Sequence, residues 1–136
     1  MKFYDIKNNE NGQSLIEFVL ILPILLLLVL GMIEYGWLLN GKITLNSAAR
    51  EGARVGVVLN IPEEERKEKI LDTINDTIDL SGMTIEEDDL QVTEENDDIE
   101  NIRDIIVEIN CELEPIIGLY LTEPVPMKSV ARMRRE

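Results

Sequence analysis

The sequence contains no histidine and a single cysteine, Cys111. The first absence removes the commonest general base and the commonest metal ligand. The second rules out an internal disulfide and any zinc site built from several thiolates. Basic side chains are also scarce, with 13 Lys and Arg against 27 Asp and Glu and a formal charge of −14. Such a surface repels a phosphate backbone, so nucleic-acid binding is excluded as a function class. The remaining residues form none of the usual catalytic or metal-binding constellations, which predicts a non-enzymatic protein without cofactor or metal.

What is present is unevenly spread. Residues 18–33 read FVLILPILLLLVLGMI, without a charge. With Leu15 and Ile16 before it and residues 35–39 after it, the tract reaches about 25 residues, enough to cross a hydrocarbon core at about 1.5 Å per residue. A buried core helix is disfavoured, because only roughly 75 residues follow Asn60 and so small a domain cannot surround it. A cleaved secretory signal has a shorter apolar run and a small-x-small site, and residues 32–37 offer none. The segment is predicted to remain as an anchor in the lipid bilayer. Lys2 and Lys7 precede it while Lys42, Arg50 and Arg54 follow it, so the positive-inside rule does not decide its orientation. The short leader and the acidic remainder favour a cytoplasmic N-terminus and an extracytoplasmic C-terminal domain. Two acids interrupt the tract. Glu17 lies near its start, and Glu34 lies toward its end beside Tyr35 and Trp37, where an interfacial aromatic belt is expected.

Beyond the tract, Ala48, Ala49, Gly52, Ala53 and Gly56 recur at helical spacing and let another helix approach closely. No Pro occurs between Pro23 and Pro62, which predicts one helix over about residues 15–59. Pro23 itself can kink it. Arg50, Glu51 and Arg54 suit a solvated helix face with local ion pairs, or packing against a partner. Pro62 opens a second helix with Glu63, Glu64 and Glu65 in its first turn, an apolar stripe at Ile70, Leu71, Ile74 and Ile78, and a stop at Ser81-Gly82. Residues 105–113 alternate as a strand, with Cys111 on its apolar face. Residues 90–92 make a shorter partner strand, and residues 94–101 have the composition of a connecting turn. Residues 115–120 suggest a helical turn, and residues 127–134 a last strand. The acid runs at 86–89 and 94–98 lack the spaced pattern and glycine of a calcium loop, and are expected to be solvated loop. The whole predicts an α+β chain: a long helix, a short helix and a three-stranded antiparallel sheet.

The stretch from Gly12 to Phe18, GQSLIEF, places a Glu five positions after a Gly. A carboxylate inside an apolar tract is costly, so Glu17 calls for a partner. Gly12 and Glu17 match the type IV pilin processing signal. From residue 12 to 58 the chain resembles the TadE-like family of the tight-adherence (Tad) pilus system. The resemblance rests on Glu17-Phe18, Pro23, Glu34-Tyr35-Gly36 and Ala48-Ala49-Arg50-Glu51-Gly52-Ala53-Arg54, and more weakly on Ala131-Arg132-Met133-Arg134. It implies a pilin-like fold and a pseudopilin or minor pilin, divided into a leader (1–12), a transmembrane and extended helix (13–59) and an extracytoplasmic domain (60–136). A prepilin peptidase would cut between Gly12 and Gln13. Glu17, followed by Phe18, would pair with a neighbouring subunit's new α-amine and set register. Partners would be other pilin and pseudopilin subunits, the peptidase and the membrane assembly platform, in the cell membrane and in a surface pilus. The competing reading is a permanently anchored adaptor or sensor that never enters a fibre.

Overall fold

A computed structural model describes residues 10–59, 61–78, 83, 85–97 and 102–135. The helix stop at Ser81-Gly82, most of the leader and the turn residues 98–101 lie outside that set. Helix α1 spans Glu10–Val58 and runs unbroken through Pro23, beginning several residues earlier than the apolar pattern indicates. Pro23 lacks an N–H and withholds one bond from Val19, but the turns on either side carry the helix past it. Helix α2 spans Glu63–Ile78 with three acids in its first turn. A 3-10 turn, Glu87–Asp89, leads into strands β1 (Leu90–Asp97), β2 (Ile102–Leu113) and β3 (Val125–Arg135). The sheet is an antiparallel meander in the order β1-β2-β3. The α+β architecture is therefore as the sequence pattern indicates, with a helical layer over one face of a three-stranded sheet.

Burial divides α1 into two halves. Leu15 to Val29 are exposed almost without exception, and none of its most apolar eighteen-residue window is buried. Among the described residues it is the one helix long and apolar enough to cross a membrane. Past Gly41 the helix sinks into the core. Leu45, Ala48, Ala49 and Ala53 are fully buried with Ile70, Ile74 and Ile78 of α2 and with Ile105, Val107, Ile109 and Leu113 of β2. Each fully buried Ile contributes about 1.5–3 kcal/mol. The small residues of α1 make this approach possible. A Cβ on Gly52 would stand 3.0 Å from Ile74 and 3.1 Å from Ile70. Gly41 lies directly against Leu113. Opposite them, β3 turns its own small residues, Ser129 and Ala131, inward, and Ser129 Oγ donates to Asn46 Oδ1 of α1 at 2.7 Å.

Polar ties fix the remaining edges. Asn75 of α2 clasps Ile85 from both sides, its Nδ2 donating to Ile85 O at 3.2 Å and its Oδ1 accepting from Ile85 N–H at 3.1 Å. Arg66, nearly buried, donates to Ile61 O at 2.9 Å and pairs with Glu94. Cys111 packs in the core, and burial pushes its thiol pKa up.

Two local expectations need correction. Residues 94–97 continue β1 instead of forming a turn, because β2 is long enough to pair with them as far as Asp97↔Ile102 and because Glu94 and Glu95 find Arg66 and Arg132. An acidic composition that reads as solvated loop is thus held extended by pairing with β2 and by cations from α2 and β3. Residues 115–120 form bends, not a helical turn, because their amides are directed to a side chain of α1.

The outer sheet face is a charge lattice. Asp104 is buried beneath Arg132 (2.7 Å) and Arg134 (3.5 Å), and Lys128 meets Glu108 at 2.5 Å. Hydrogen bonds from Lys128 and then Asn110 hold the Glu108 carboxyl below its ordinary value of 4.5. A depressed carboxyl stabilises the fold above its unfolded value and loses that contribution as pH falls through the folded one. Thermal melts of the detergent-solubilised chain should therefore fall as pH drops below about 4.5, and Glu108→Gln should blunt that fall. In the core, Ile74→Ala should cost about 2–5 kcal/mol and Gly52→Leu about 1–3 kcal/mol in denaturant titrations.

Candidate functional site

The candidate residues lie along α1 in an order set by depth. Gly12 and Gln13 occupy its first turns, Gly12 half-buried and Gln13 exposed. Gln13 Nε2 donates to Glu17 Oε1 at 3.2 Å, one helical turn away, so the two residues share a face. Glu17 and Phe18 are exposed, as is the helix surface beyond them. That amide is neutral, so it offers the Glu17 carboxylate a hydrogen bond and no countercharge.

Glu34 is different. It is only 2% exposed. Its Oε1 accepts from the Gly118 N–H at 2.9 Å and its Oε2 from the Tyr120 N–H at 3.5 Å. Two amides of the β2–β3 loop thus converge on one side chain, and each of its carboxyl oxygens accepts from one of them. Gly118 has φ +67°, a left-handed conformation that a glycine adopts without strain and that helps turn these N–H groups to the same side. The loop is fastened at two further points. Tyr120 Oη donates to Leu27 O at 2.9 Å, while Trp37 Nε1 donates to Glu114 O at 3.2 Å. Gly31 makes room for the Tyr120 ring, since a Cβ there would approach it to 3.1 Å. Lys42 Nζ donates to Lys128 O a turn further along.

The other motif residues divide by the same geometry. Tyr35 is exposed, and nothing lies within 4 Å of where a Cβ on Gly36 would stand. Ala48, Ala49, Gly52, Ala53 and Gly56 face α2 and the sheet within the same chain. Arg50 is exposed, and Arg54 pairs with Glu51 through Nε at 3.0 Å on the solvated side. That contact holds the Glu51 carboxyl below its ordinary value and raises Arg54. The structure therefore brings Glu34 to a site with the distant loop, and brings the small residues to the core. It leaves the residues from Gln13 to Val29, with Tyr35 and Gly36, open.

A scan of known families decides what this arrangement is similar to. Residues 12–54 match the TadE-like protein family. No curated protein and no solved structure matches the chain significantly. The TadE-like match implies a pilin-like protein associated with a Tad pilus, a structural and not a catalytic class. It covers the exposed half of α1, Glu34 and the small residues from Ala48 to Ala53, and stops before Gly56 and α2.

Sequence reasoning missed the loop clasp: beside Tyr35 and Trp37 it reads Glu34 as an acid near an expected aromatic belt and names no partner for it. The signal was there in two halves: an acid at the end of an apolar tract, and an uncharged apolar run, PIIGLYL, flanked by Glu114 and Glu123. Nothing in chain order joins them.

Removing the acceptor should free the loop. Glu34→Ala leaves two N–H groups unsatisfied and should cost about 1–3 kcal/mol. In hydrogen exchange on the full chain in detergent, the Gly118 and Tyr120 amides should exchange on the order of tenfold faster or more. Glu34→Gln, which keeps one carbonyl acceptor, should fall between. Tyr35→Ala should leave them unchanged.

Proposed function

We propose that the chain is a pseudopilin or minor pilin of a Tad-type pilus, cut by a prepilin peptidase between Gly12 and Gln13. On this reading residues 1–12 are the leader, 13–59 the transmembrane and extended helix, and 60–136 an extracytoplasmic domain. The observation that carries it is the division of α1: an apolar half whose large side chains from Leu15 to Val29 are exposed, continuous with a half built into a folded domain. A subunit that must be drawn out of a bilayer and stacked on its like needs such a helix, because lipid and neighbouring apolar helices cover the same surface. The Gly12 to Glu17 spacing agrees with it, as does the TadE-like match that begins at residue 12.

Gly12 and Gln13 lie inside helix α1, and a peptidase needs an extended scissile bond. Opening is cheap at this end. The first four N–H groups of a helix have no intrahelical acceptor, so unwinding the first turn breaks only the bonds its carbonyls accept, fewer than opening the helix interior would. Once cut, the Gln13 α-amine replaces a neutral side chain as the nearest donor available to a Glu17, now with a positive charge. Between subunits that pair would offset the burial of the carboxylate and set register. Partners follow: other pilin and pseudopilin subunits, the peptidase and the assembly platform, with the N-terminus cytoplasmic.

The helical start upstream of Gly12 favours a second reading, a permanently anchored adaptor whose leader is never removed. Mass spectrometry of the chain after co-expression with a prepilin peptidase separates the two. A mature N-terminus at Gln13 is expected, with Gly12→Ala slowing cleavage at least about tenfold, or about 1.4 kcal/mol in the barrier. Glu17→Ala should be cut normally but fail to co-assemble with other pilin subunits. An intact leader under these conditions would establish the anchored reading.

A further inference from the structure

The apolar residues of the β2–β3 loop have no role in the core. Ile116, Leu119 and Tyr120 are 57%, 46% and 56% exposed, and Ile117 and Leu121 also face outward. Between Glu114 and Glu123 the loop carries no charge. A soluble domain seldom leaves so compact an apolar cluster open to water without a use for it.

Where the loop sits gives that use. It does not point away from α1 but runs down its side, toward the apolar half. Trp37 holds the start of the loop through Glu114 O, Glu34 holds its middle, and Tyr120 reaches back to Leu27 O. Leu27 lies well inside the uncharged run, six residues before Ile33, or about 9 Å along the axis. Any medium that surrounds α1 at residues 27–33 therefore surrounds the loop as well. Gly31, Glu34, Tyr35, Leu38, Tyr120 and Leu121 line one shallow groove between them, so helix and loop present a continuous apolar surface.

We propose that residues 115–122 are a second membrane contact, seated in the bilayer leaflet on the domain's side, with Glu34 as the latch that holds them there. The occupant of this surface is lipid. An irregular loop is tolerated near hydrocarbon only where its backbone polar groups are satisfied by protein. Glu34 meets that requirement for Gly118 and Tyr120. The depth of about 9 Å is that at which amphipathic elements sit at the boundary between headgroups and acyl chains. Tyr35, Trp37 and Tyr120 then spread along the boundary region, where amphipathic rings prefer to lie. Its consequence is orientational. A helix alone leaves the domain free to swivel over the bilayer, and a second contact fixes which face of the sheet looks away from it. The inference rests on α1 crossing a bilayer and is independent of processing or fibre assembly.

Full-length chain in phosphatidylcholine vesicles tests it. Ile116→Cys and Leu119→Cys, each in a Cys111→Ala background and labelled with an environment-sensitive fluorophore, should show blue-shifted emission. They should be quenched by doxyl-labelled lipid and protected from aqueous iodide. Leu25→Cys reports the span, and Val130→Cys, on the exposed outer face of the sheet, reports water. Adding Glu34→Ala should move the 116 and 119 signals toward that of 130 while leaving 25 in lipid. Loop labels that read as 130 does, with 25 in lipid, overturn the proposal and leave the anchor intact. Labels at both 25 and the loop reading as water overturn the membrane reading of α1 together with it. Loop labels shielded from iodide and doxyl lipid alike mark a protein partner on this surface, and also overturn it.

Discussion

One helix has to satisfy two environments without a break, and most of the structure follows from how it does so. Because α1 runs continuously from Glu10 to Val58, the domain cannot choose its distance from the apolar half. The two are joined by a rod about 70 Å long at roughly 1.5 Å per residue. The chain therefore changes the character of the helix surface along its length and not the backbone. Large side chains at 15–29 face outward on all sides, whereas Gly and Ala from Gly41 onward let α2 and the sheet close in. The close approach depends on small residues on both surfaces, with Ser129 and Ala131 of β3 opposite those of α1. A domain this small cannot bury a core of its own without borrowing a helix. The rod is thus also half of the hydrophobic core.

Glu34 lies at the junction of these two regimes. A carboxylate at the end of an apolar tract is expensive unless it is solvated or hydrogen-bonded. Here the β2–β3 loop supplies the donors. The loop in turn could not lie against the helix with its amides unpaired. Each group makes the other's position tenable. This reciprocity explains why the bend at residues 115–120 is not helical, since helical amides would be directed back along their own chain.

How much of this was legible in the sequence depended on range. The apolar tract, the Pro-free run from 24 to 61 and the alternation at 105–113 are local patterns with one physical reading each, and α1, α2, β2 and β3 follow them closely. The small residues announced a close neighbour but not which one. That neighbour is α2 of the same chain, visible only once Ile70 and Ile74 are placed. Residues 94–97 were misread because acidic composition signals solvation only when no cations stand opposite. Arg66 lies 28 positions before Glu94 and Arg132 lies 37 after Glu95, beyond any local pattern. The Glu34 clasp is the extreme case, a contact across more than eighty residues. At the N-terminus the spacing of Gly12 and Glu17 was legible because it is local, although the helical backbone there was not.

On the proposed pilin reading, the division of labour along α1 also bears on where subunits would meet. The small residues that suggested helix association are consumed inside the chain, so they are closed to a neighbour. On the polar outer face of the sheet Arg132 and Arg134 meet Asp104 and Lys128 meets Glu108, and such pairs give little drive to dock. Among the described residues, the helix from Gln13 to Val29 and the face around Gly36 stay open, as does the apolar β2–β3 loop beside them. Association through that surface needs no rearrangement of the domain. In a bilayer it must compete with lipid for the same apolar area, so van der Waals contact alone gives little preference. A charge inside the surface changes this. Glu17 is tolerated poorly by lipid and well by a neighbour that offers a cation, so on the proposed pilin reading it would convert an indifferent apolar contact into a directed one.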